Sequence, residues 1–324
     1  MQAAVRSRYG GPEVIELRTV AVPQPGPDQV LVRVRAASLN RVDHHALRGT
    51  PLLARMTDGL RRPKEHGLGH DLAGEVVAVG AAVTEPGVGQ LVFGSSIRTF
   101  AEYVAVKAEG LAPIPSGVSL EVAAAVPVAG LTALQGLRRH GRLQAGQRVL
   151  VTGAGGGVGG FGARIANALG AEVTATTRSW NVERVRSMGV ARVEDAAARG
   201  TADPLAKADH YDLILDVAGD RAVGALARAT RPGGTIVIVG SWRVSMATIA
   251  RWLLESRVGS RLRGRRITFF LSRRDQADLQ TLRAMLEAGT ITPDIEHVYP
   301  LTEVAEAMRH FERSRTQGKV VVTI

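Results

Sequence analysis

The apolar and polar positions of this chain follow two different patterns, before and after residue 120. Before it, residues 29–36 (QVLVRVRA) alternate apolar and polar side chains, as in a strand with one buried face. After it, continuous apolar runs alternate with helical segments, which indicates parallel strands covered by helices on both faces. The other predicted strands are residues 72–79, 100–106, 148–152, 172–177, 211–217, 235–239 and 267–271.

This change of pattern predicts an α/β protein with two domains. Residues 120–271 form a doubly wound parallel sheet, and residues 1–119 and 272–324 are two pieces of a β-rich domain. The second piece contains predicted helices at residues 276–288 and 302–313, and it closes with a strand at residues 319–324.

A glycine-rich turn follows the first strand of the parallel sheet. Residues 149–152 (VLVT) lead directly into residues 153–160 (GAGGGVGG), and a predicted helix follows. Glycines let a backbone approach a pyrophosphate, and the helix N-terminus presents N–H groups to it. The pattern therefore predicts dinucleotide binding, although a purely structural turn is the alternative. The candidate contacts are Gly153, Gly155, Gly156, Gly157, Val158 and Gly159.

The next predicted strand favours NADPH over NADH as the cofactor. NAD-binding folds carry an acidic residue about 20 residues after the turn, where it bonds the ribose 2′-hydroxyl. Here the strand ends Thr177-Arg178-Ser179, without a carboxylate. A guanidinium would pair with a 2′-phosphate. We therefore predict that Arg178 and Ser179 bind that phosphate, and the alternative for Arg178 is an ordinary exposed arginine.

Composition excludes several classes of site. The 324 residues include no cysteine, so disulfides, thiolate metal sites and cysteine nucleophiles are absent. The net charge of +11 comes from dispersed arginines with no nucleic-acid motif, and we predict no nucleic-acid partner. The longest uncharged run, residues 122–137, is shorter than the roughly 20 residues that span a bilayer, and Met1–Gly10 lacks a signal-peptide core. We predict a cytoplasmic protein without membrane contact.

Several stretches, in this order, resemble the medium-chain dehydrogenase/reductase superfamily. They are residues 37–43 (ASLNRVD, similar to the family's Asn-x-x-Asp active-site loop), 69–76 (GHDLAGEV), 130–133 (GLTA), 153–159 and 318–322 (GKVVV). The resemblance implies a GroES-like catalytic domain at 1–119 and 272–324 and a Rossmann domain at 120–271. It also implies an active site in the cleft between the two.

The sequence departs from the zinc-dependent members of this superfamily. Those members carry a cysteine in the first loop and four more around a structural zinc, whereas this chain has none. His70 remains in the Gly-His-Asp segment. A site of histidine and aspartate alone is chemically possible, but a packed, hydrogen-bonded histidine is the simpler interpretation. We therefore predict no metal.

The resemblance is to the zinc-independent quinone oxidoreductase and enoyl reductase branch. It implies hydride transfer from NADPH to a quinone or to an activated C=C bond. Zinc-free relatives often carry a tyrosine two residues after the loop aspartate, where this chain has His45. His45 is the candidate proton donor, and an exposed loop residue is the alternative. Asn40 and Asp43 are candidates to orient the nicotinamide or the loop.

Two alternative functions stay open. The chain could be a pathway-specific enoyl reductase for a polyketide-like intermediate, free or carrier-bound, or an NADPH-binding protein without turnover.

The resemblance also implies cofactor contacts outside the turn. For Phe269 and Phe270, packing in the core is the alternative. The apolar strand 267–271 would form a sheet edge that relatives cover by pairing two subunits, so we predict a homodimer. The further candidate contacts are Thr132, Ala218, Gly219, Gly240, Ser241, Phe269, Phe270, Leu271 and Lys319.

Overall fold

The structure is a computed structural model, and it describes residues 1–324 except 65, 198–202, 207, 209, 241–244 and 314–316. The strands are β1 (Gln2–Val5), β2 (Glu16–Thr19), β3 (Gln29–Ser38), β4 (Asp71–Val79), β5 (Leu91–Ser95), β6 (Tyr103–Lys107), β7 (Leu111–Pro113), β8 (Arg148–Thr152), β9 (Glu172–Thr177), β10 (Arg192–Asp195), β11 (Tyr211–Asp216), β12 (Thr230–Ile238), β13 (Arg266–Phe269), β14 (Ile295–Pro300) and β15 (Lys319–Thr323).

The helices are α1 (Arg41–Arg48), α2 (Leu52–Asp58), α3 (Leu120–Ala124), α4 (Pro127–Gln135), α5 (Gly157–Ala168), α6 (Val182–Arg186), α7 (Val223–Ala229), α8 (Met246–Leu254), α9 (Ser260–Arg263), α10 (Gln276–Glu287) and α11 (Val304–Glu312). No helix in the described part of the chain is both long enough and apolar enough to cross a membrane.

The chain divides into two compact units. The first contains Met1–Leu131 and Arg274–Ile324, and the second contains Thr132–Arg273. The sequence analysis put the first boundary between residues 119 and 120. The structure puts it later because α3 packs on β3 and β4, and because the Val128 N–H donates to the buried Asp71 carboxylate.

The first unit is built on a largely antiparallel sheet of the order β14-β15-β3-β4-β5-β7, in which β6 also pairs with β3. The alternation along β3 turns one face of the strand into the core, since Val30, Val32 and Val34 are buried in one hydrophobic cluster. Strand β15 lies between β14 and β3, so the sheet is complete only when residues 319–323 are in place.

The second unit contains a six-stranded parallel sheet of the order β10-β9-β8-β11-β12-β13. Numbered within the sheet, this is the 3-2-1-4-5-6 order of dinucleotide-binding folds, and it confirms the predicted doubly wound sheet. The order reverses between β8 and β11, and ligands of such sheets bind beyond the carboxyl ends of the strands at that point. Strand β13 lies at one edge and pairs only with β12 among the described strands.

The structure contains elements that the sequence analysis did not predict. Strands β10 and β14 are short and carry charged residues, so their alternation is weak. Residues 41–48, expected to be a loop, form helix α1. The predicted strand 100–106 begins later, at Tyr103.

Candidate active site

A buried polar cluster joins three distant segments of the first unit around Asp71. One Asp71 carboxylate oxygen accepts hydrogen bonds from Ser38 Oγ at 2.8 Å and from Asn40 Nδ2 at 2.7 Å. The other oxygen accepts the Val128 N–H at 2.8 Å. Lys319 Nζ lies 3.4 Å from Asp71 and donates to Asn40 Oδ1 at 2.6 Å. Burial raises the pKa of Asp71 and lowers that of Lys319, and their attraction opposes both shifts.

The start of helix α1 extends this cluster to a histidine. One carboxylate oxygen of Asp43 accepts the backbone N–H of Asn40 at 2.7 Å, three residues back, and so caps the helix. The other oxygen lies 2.6 Å from His70 Nδ1. The Asp43 side chain is fully buried, while the His70 side chain is 21% exposed. The sequence analysis singled out Asn40 and Asp43 but did not assign His70 a role.

The hydrogen bonds of this cluster leave its buried members little capacity for a ligand. Asn40 uses both faces of its amide, since Nδ2 donates to Asp71 and Oδ1 accepts from Lys319. Lys319 has three donors, and it has acceptors in Leu39 O, Asn40 Oδ1 and Asp71. This geometry argues against the predicted cofactor contact of Lys319 and assigns it to neutralising Asp71.

His45 lies on helix α1 and not in a loop. Its Nδ1 is 3.5 Å from Thr50 Oγ1, and its ring meets the ring of His44 edge-on. Burial, together with the smaller effects of the neighbouring His44 and Arg41, lowers the pKa of His45 to about 4. The imidazole is therefore neutral at pH 7, which weakens the prediction that His45 supplies a proton.

The glycine turn of the second unit runs from the end of β8 to helix α5. Gly153 has a φ of +69°, which favours glycine, and the Ala154 N–H donates to Thr176 O at 2.9 Å. A Cβ on Gly159 would lie 2.1 Å from Gly153 O, so only glycine fits there. A Cβ on Gly156, the residue before α5, would have Gly153 O, at 3.7 Å, as its nearest neighbour in the described part of the chain. No side chain among the described residues caps α5, so its first turn is suited to a pyrophosphate.

A second buried carboxylate supports the strand ends beside this turn. Asp216, at the end of β11, accepts hydrogen bonds from Thr152 Oγ1 at 2.8 Å and from the Gly219 N–H at 3.2 Å. Thr152 Oγ1 in turn accepts the N–H groups of Val217 and Ala218. Burial raises the pKa of Asp216 to about 6, although both hydrogen bonds oppose that shift. The predicted contact Ala218 is thus bonded to β8, and the predicted contact Gly219 is bonded to the end of β11.

The end of β9 presents arginines near the same turn. Arg178 directly follows the buried Thr177 and is exposed, with Ser179 beside it. The Arg184 guanidinium donates to Gly155 O and to Asn181 Oδ1, and so ties helix α6 to the glycine turn. The sequence analysis missed Arg184, and its position one turn into a predicted helix beside Arg178 was the available signal.

The remaining predicted cofactor residues of the second unit fall into two groups. Phe269 packs against Trp252, with ring centroids 5.0 Å apart, and Phe270 stacks on His140 at 4.2 Å. Both rings therefore pack in the core, which is the alternative to a cofactor contact that the sequence analysis gave for them. Thr132 donates from Oγ1 to Ser272, and Leu271 is 82% exposed. No atom of the described residues lies within 4 Å of a Cβ on Gly240. Ser241 lies outside the described residues.

A cavity of about 900 Å³ lies in the first unit, on the side of strands β1 and β6. Its lining includes Lys64, Arg98, Lys107 and Arg274, against the single carboxylate of Glu109 among the described residues. Its wall therefore favours an anionic group.

In the part of the chain that the structure describes, no group of three or more His, Cys, Asp or Glu side chains could hold a metal ion.

Comparison with known proteins identifies the family. A family model described as an alcohol dehydrogenase GroES-like domain matches residues 26–116, and one described as zinc-binding dehydrogenase matches residues 188–322. A trans-enoyl reductase of Aspergillus terreus is 32% identical over 315 residues, which cover 92% of this chain and 87% of that protein. The chloroplastic NADPH-dependent alkenal/one oxidoreductase of Arabidopsis thaliana is 31% identical over 339 residues, covering 99% and 79%.

The solved structures agree. The quinone oxidoreductase from Coxiella burnetii superimposes with a TM-score of 0.87 at 26% identity, over 100% of this chain and 99% of that one. The chain belongs to the medium-chain dehydrogenase/reductase superfamily, as the sequence motifs predicted. It is an oxidoreductase with a GroES-like domain and a parallel dinucleotide-binding sheet, and its family uses nicotinamide cofactors.

Proposed function

We propose that this protein is an NADPH-dependent, zinc-independent reductase that transfers hydride to a quinone or to an activated C=C bond. The observation that carries the proposal is the end of β9, where the exposed Arg178 stands in place of the acidic residue of NAD-binding folds. A guanidinium there attracts a 2′-phosphate, whereas a carboxylate would repel it.

The residues of the second unit fit such a cofactor. The pyrophosphate would lie against the N–H groups of residues 155–159, beside the open space at Gly156, while the missing Cβ atoms of Gly155 and Gly159 let the turn pack closely on the protein. Arg178 and Ser179 would hold the 2′-phosphate, and Arg184 would fix the turn through Gly155 O. We assign Thr132, Gly240 and Leu271 to the nicotinamide side. When bound, NADPH supplies the hydride.

We propose that the segment Asn40–Asp43 lies at the substrate, as the resemblance to the family's Asn-x-x-Asp loop implies. Asn40 and Asp43 would shape the pocket through their hydrogen bonds within the first unit. The names of the relatives support the substrate class, since they include an alkenal/one oxidoreductase, a trans-enoyl reductase and a quinone oxidoreductase.

The proposal of zinc independence rests on the donor set of the sequence. Thiolates hold zinc in many dehydrogenase sites, and this chain has no cysteine. Elemental analysis of the purified protein should find no stoichiometric zinc, and one zinc per chain would refute this part of the proposal.

Assembly as a homodimer is a further part of the proposal. Strand β13 leaves one side of its backbone unpaired among the described strands, and an open strand edge favours pairing with another strand. A second copy of the chain would cover it across a twofold axis. Light scattering at micromolar concentration should report twice the chain mass, and a monomer would count against it.

Binding and turnover with the two cofactors test the function. Purified protein should bind NADPH more tightly than NADH and should oxidise it with a panel of quinones and enones. Arg178→Asp should reverse the preference by roughly 10-fold or more, because it replaces attraction for a 2′-phosphate with repulsion. Arg228→Asp, the same charge change at an exposed position of helix α7, should leave the preference unchanged.

Three results would change the assignment. Equal affinities for the two cofactors in the parent protein would overturn the NADPH assignment. Turnover confined to enoyl thioesters would favour the second candidate, a pathway-specific enoyl reductase, which the similarity to the fungal trans-enoyl reductase supports. Cofactor binding without turnover on any acceptor would indicate a non-catalytic NADPH-binding protein.

A further inference from the structure

The cluster in the first unit offers one nitrogen that its internal hydrogen bonds do not use. His70 Nδ1 faces the Asp43 carboxylate at 2.6 Å, so Nδ1 carries a hydrogen and Nε2 is the other titrating nitrogen. Among the described residues Nε2 has no hydrogen-bond partner, and the side chain is 21% exposed. Ser38, Asn40, Asp71 and Lys319 are buried and bonded to one another. His70 Nε2 is therefore the position from which this cluster can exchange a proton with a bound molecule.

Asp43 is held so that it fixes the orientation of the histidine ring. Its second carboxylate oxygen accepts the Asn40 N–H at the start of α1, and the side chain is fully buried. A carboxylate bound at both oxygens cannot rotate without breaking the helix cap. Asp43 thus fixes the tautomer and the direction of His70 Nε2, as a carboxylate partner does for a catalytic histidine.

The charges around His70 favour its protonated form. Burial lowers the pKa of His70, but the adjacent Asp43 carboxylate and, further away, Asp71 outweigh burial and raise it. Arg274 opposes them, and Lys319 faces Asp71 from β15. A larger fraction of His70 is therefore imidazolium at neutral pH than in an unperturbed histidine. His45 behaves oppositely, because burial keeps its imidazole neutral.

We propose that His70, oriented by Asp43, is the proton donor that completes the reduction of an enone. This inference rests on the proposed function, and it gives His70 the role that the sequence analysis assigned to His45. Hydride addition to the β-carbon moves the C=C electron pair to the α-carbon and carbonyl oxygen of the substrate, as an enolate. The His70 Nε2–H bond breaks, its electron pair stays on nitrogen, and the proton bonds to the α-carbon. Water then returns a proton to Nε2, while Nδ1–H stays bonded to Asp43.

A quinone provides an internal control for this step. Its reduced product carries the new negative charge on oxygen, where water exchanges protons rapidly, so quinone turnover does not need a positioned donor. Loss of His70 should therefore slow the reduction of enones but not that of quinones by the same protein.

The test is His70→Asn, whose amide can still bond Asp43 but cannot transfer a proton. We expect enone turnover to fall by roughly 10²–10⁴-fold while quinone turnover and NADPH affinity change less than about threefold. His297→Asn, the same substitution at an exposed histidine of the first unit, should change neither. His45→Ala should leave most enone turnover.

An independent readout needs no cofactor. In an NMR titration of the parent protein, His70 should titrate above about 6.5, the usual histidine value. The inference is overturned if His70 titrates lower, if His70→Asn keeps parental enone turnover, or if it loses quinone turnover equally. If the parent protein failed to oxidise NADPH with any of the acceptors, the proposed function would be refuted, and the proton-donor role with it.

Discussion

The two candidate binding regions differ in what holds them in place. In the first unit, side chains from strands β3, β4 and β15 meet around the buried Asp71, and charge and hydrogen bonding maintain the arrangement. In the second unit, the backbone of one continuous turn forms the candidate site, and the turn depends on close contacts that only glycines, which lack a Cβ, allow. The first region is therefore sensitive to removal of a charge, and the second to addition of a single carbon atom.

Removing the buried cation should produce the largest effect. Lys319→Met leaves Asp71 buried without its countercharge, and the free energy of unfolding should fall by about 3–5 kcal/mol, as for other broken buried pairs. Urea unfolding at neutral pH measures it. Adding Asp71→Asn to this variant should recover part of the loss.

The control is Lys107→Met, which breaks an ion pair with Asp28 whose side chains are both 60% exposed. Solvent already screens that pair, so the unfolding midpoint should stay near the parent's. If the two lysine variants proved equally stable, the buried pair would not hold the first unit together.

Adding one methyl group should test the second region. In Gly159→Ala the new carbon would lie 2.1 Å from Gly153 O, so the turn must shift. We expect a loss of about 1–3 kcal/mol in stability, as for overpacked cores, together with weaker NADPH binding. Gly224→Ala on α7, where no atom of the described residues lies within 4 Å of the added carbon, should be neutral or slightly stabilising. Unchanged cofactor binding in Gly159→Ala would show that the turn is not the phosphate site.

The smallest expected effect concerns charge within the second region. The pKa of Asp216 is about 6 in the folded protein, above its unfolded value near 3.9. The folded state therefore binds this proton more tightly. Its contribution to stability is complete below about pH 4 and is lost as the pH rises through about 6.

Asp216→Asn keeps the acceptor for Thr152 and Gly219 but cannot ionise. Between about pH 5 and pH 8, the parent protein should lose roughly 1–2 kcal/mol more stability than this variant. Unfolding curves at the two pH values give the difference directly. Parallel losses in the two proteins would mean that Asp216 does not titrate in this range.

The same contrast explains what could be predicted from sequence. Strands β8 and β9 begin and end at the predicted residues, because buried parallel strands are continuous apolar runs and the glycine turn is local. The contact between Lys319 and Asp71 joins residues 248 positions apart, and no local pattern signals it. Strand β14 was missed because its alternation is interrupted by charged and aromatic residues.

The first loop shows how a correct motif received an incomplete interpretation. Asn40 and Asp43 were singled out for chemistry, yet their three-residue spacing is also that of a helix cap, and α1 begins there. One Asp43 oxygen accepts the Asn40 N–H in this cap, and the other faces His70 Nδ1. The tertiary contact between Asp43 and His70, which are 27 residues apart, decides which atom of these two side chains faces outward.

The central place of β15 in the first sheet has a consequence for synthesis on the ribosome. Residues 132–273 are contiguous, so the second unit can fold as soon as it emerges. Residues 1–131 emerge earlier but must wait for residues 319–323, which pair with residues 36–38 at the end of β3 and bring the ammonium group to Asp71. During that interval the nascent chain exposes an unpaired strand edge and an uncompensated acid, so a chaperone that shields the first 131 residues should raise the yield of folded protein more than one acting on the middle of the chain.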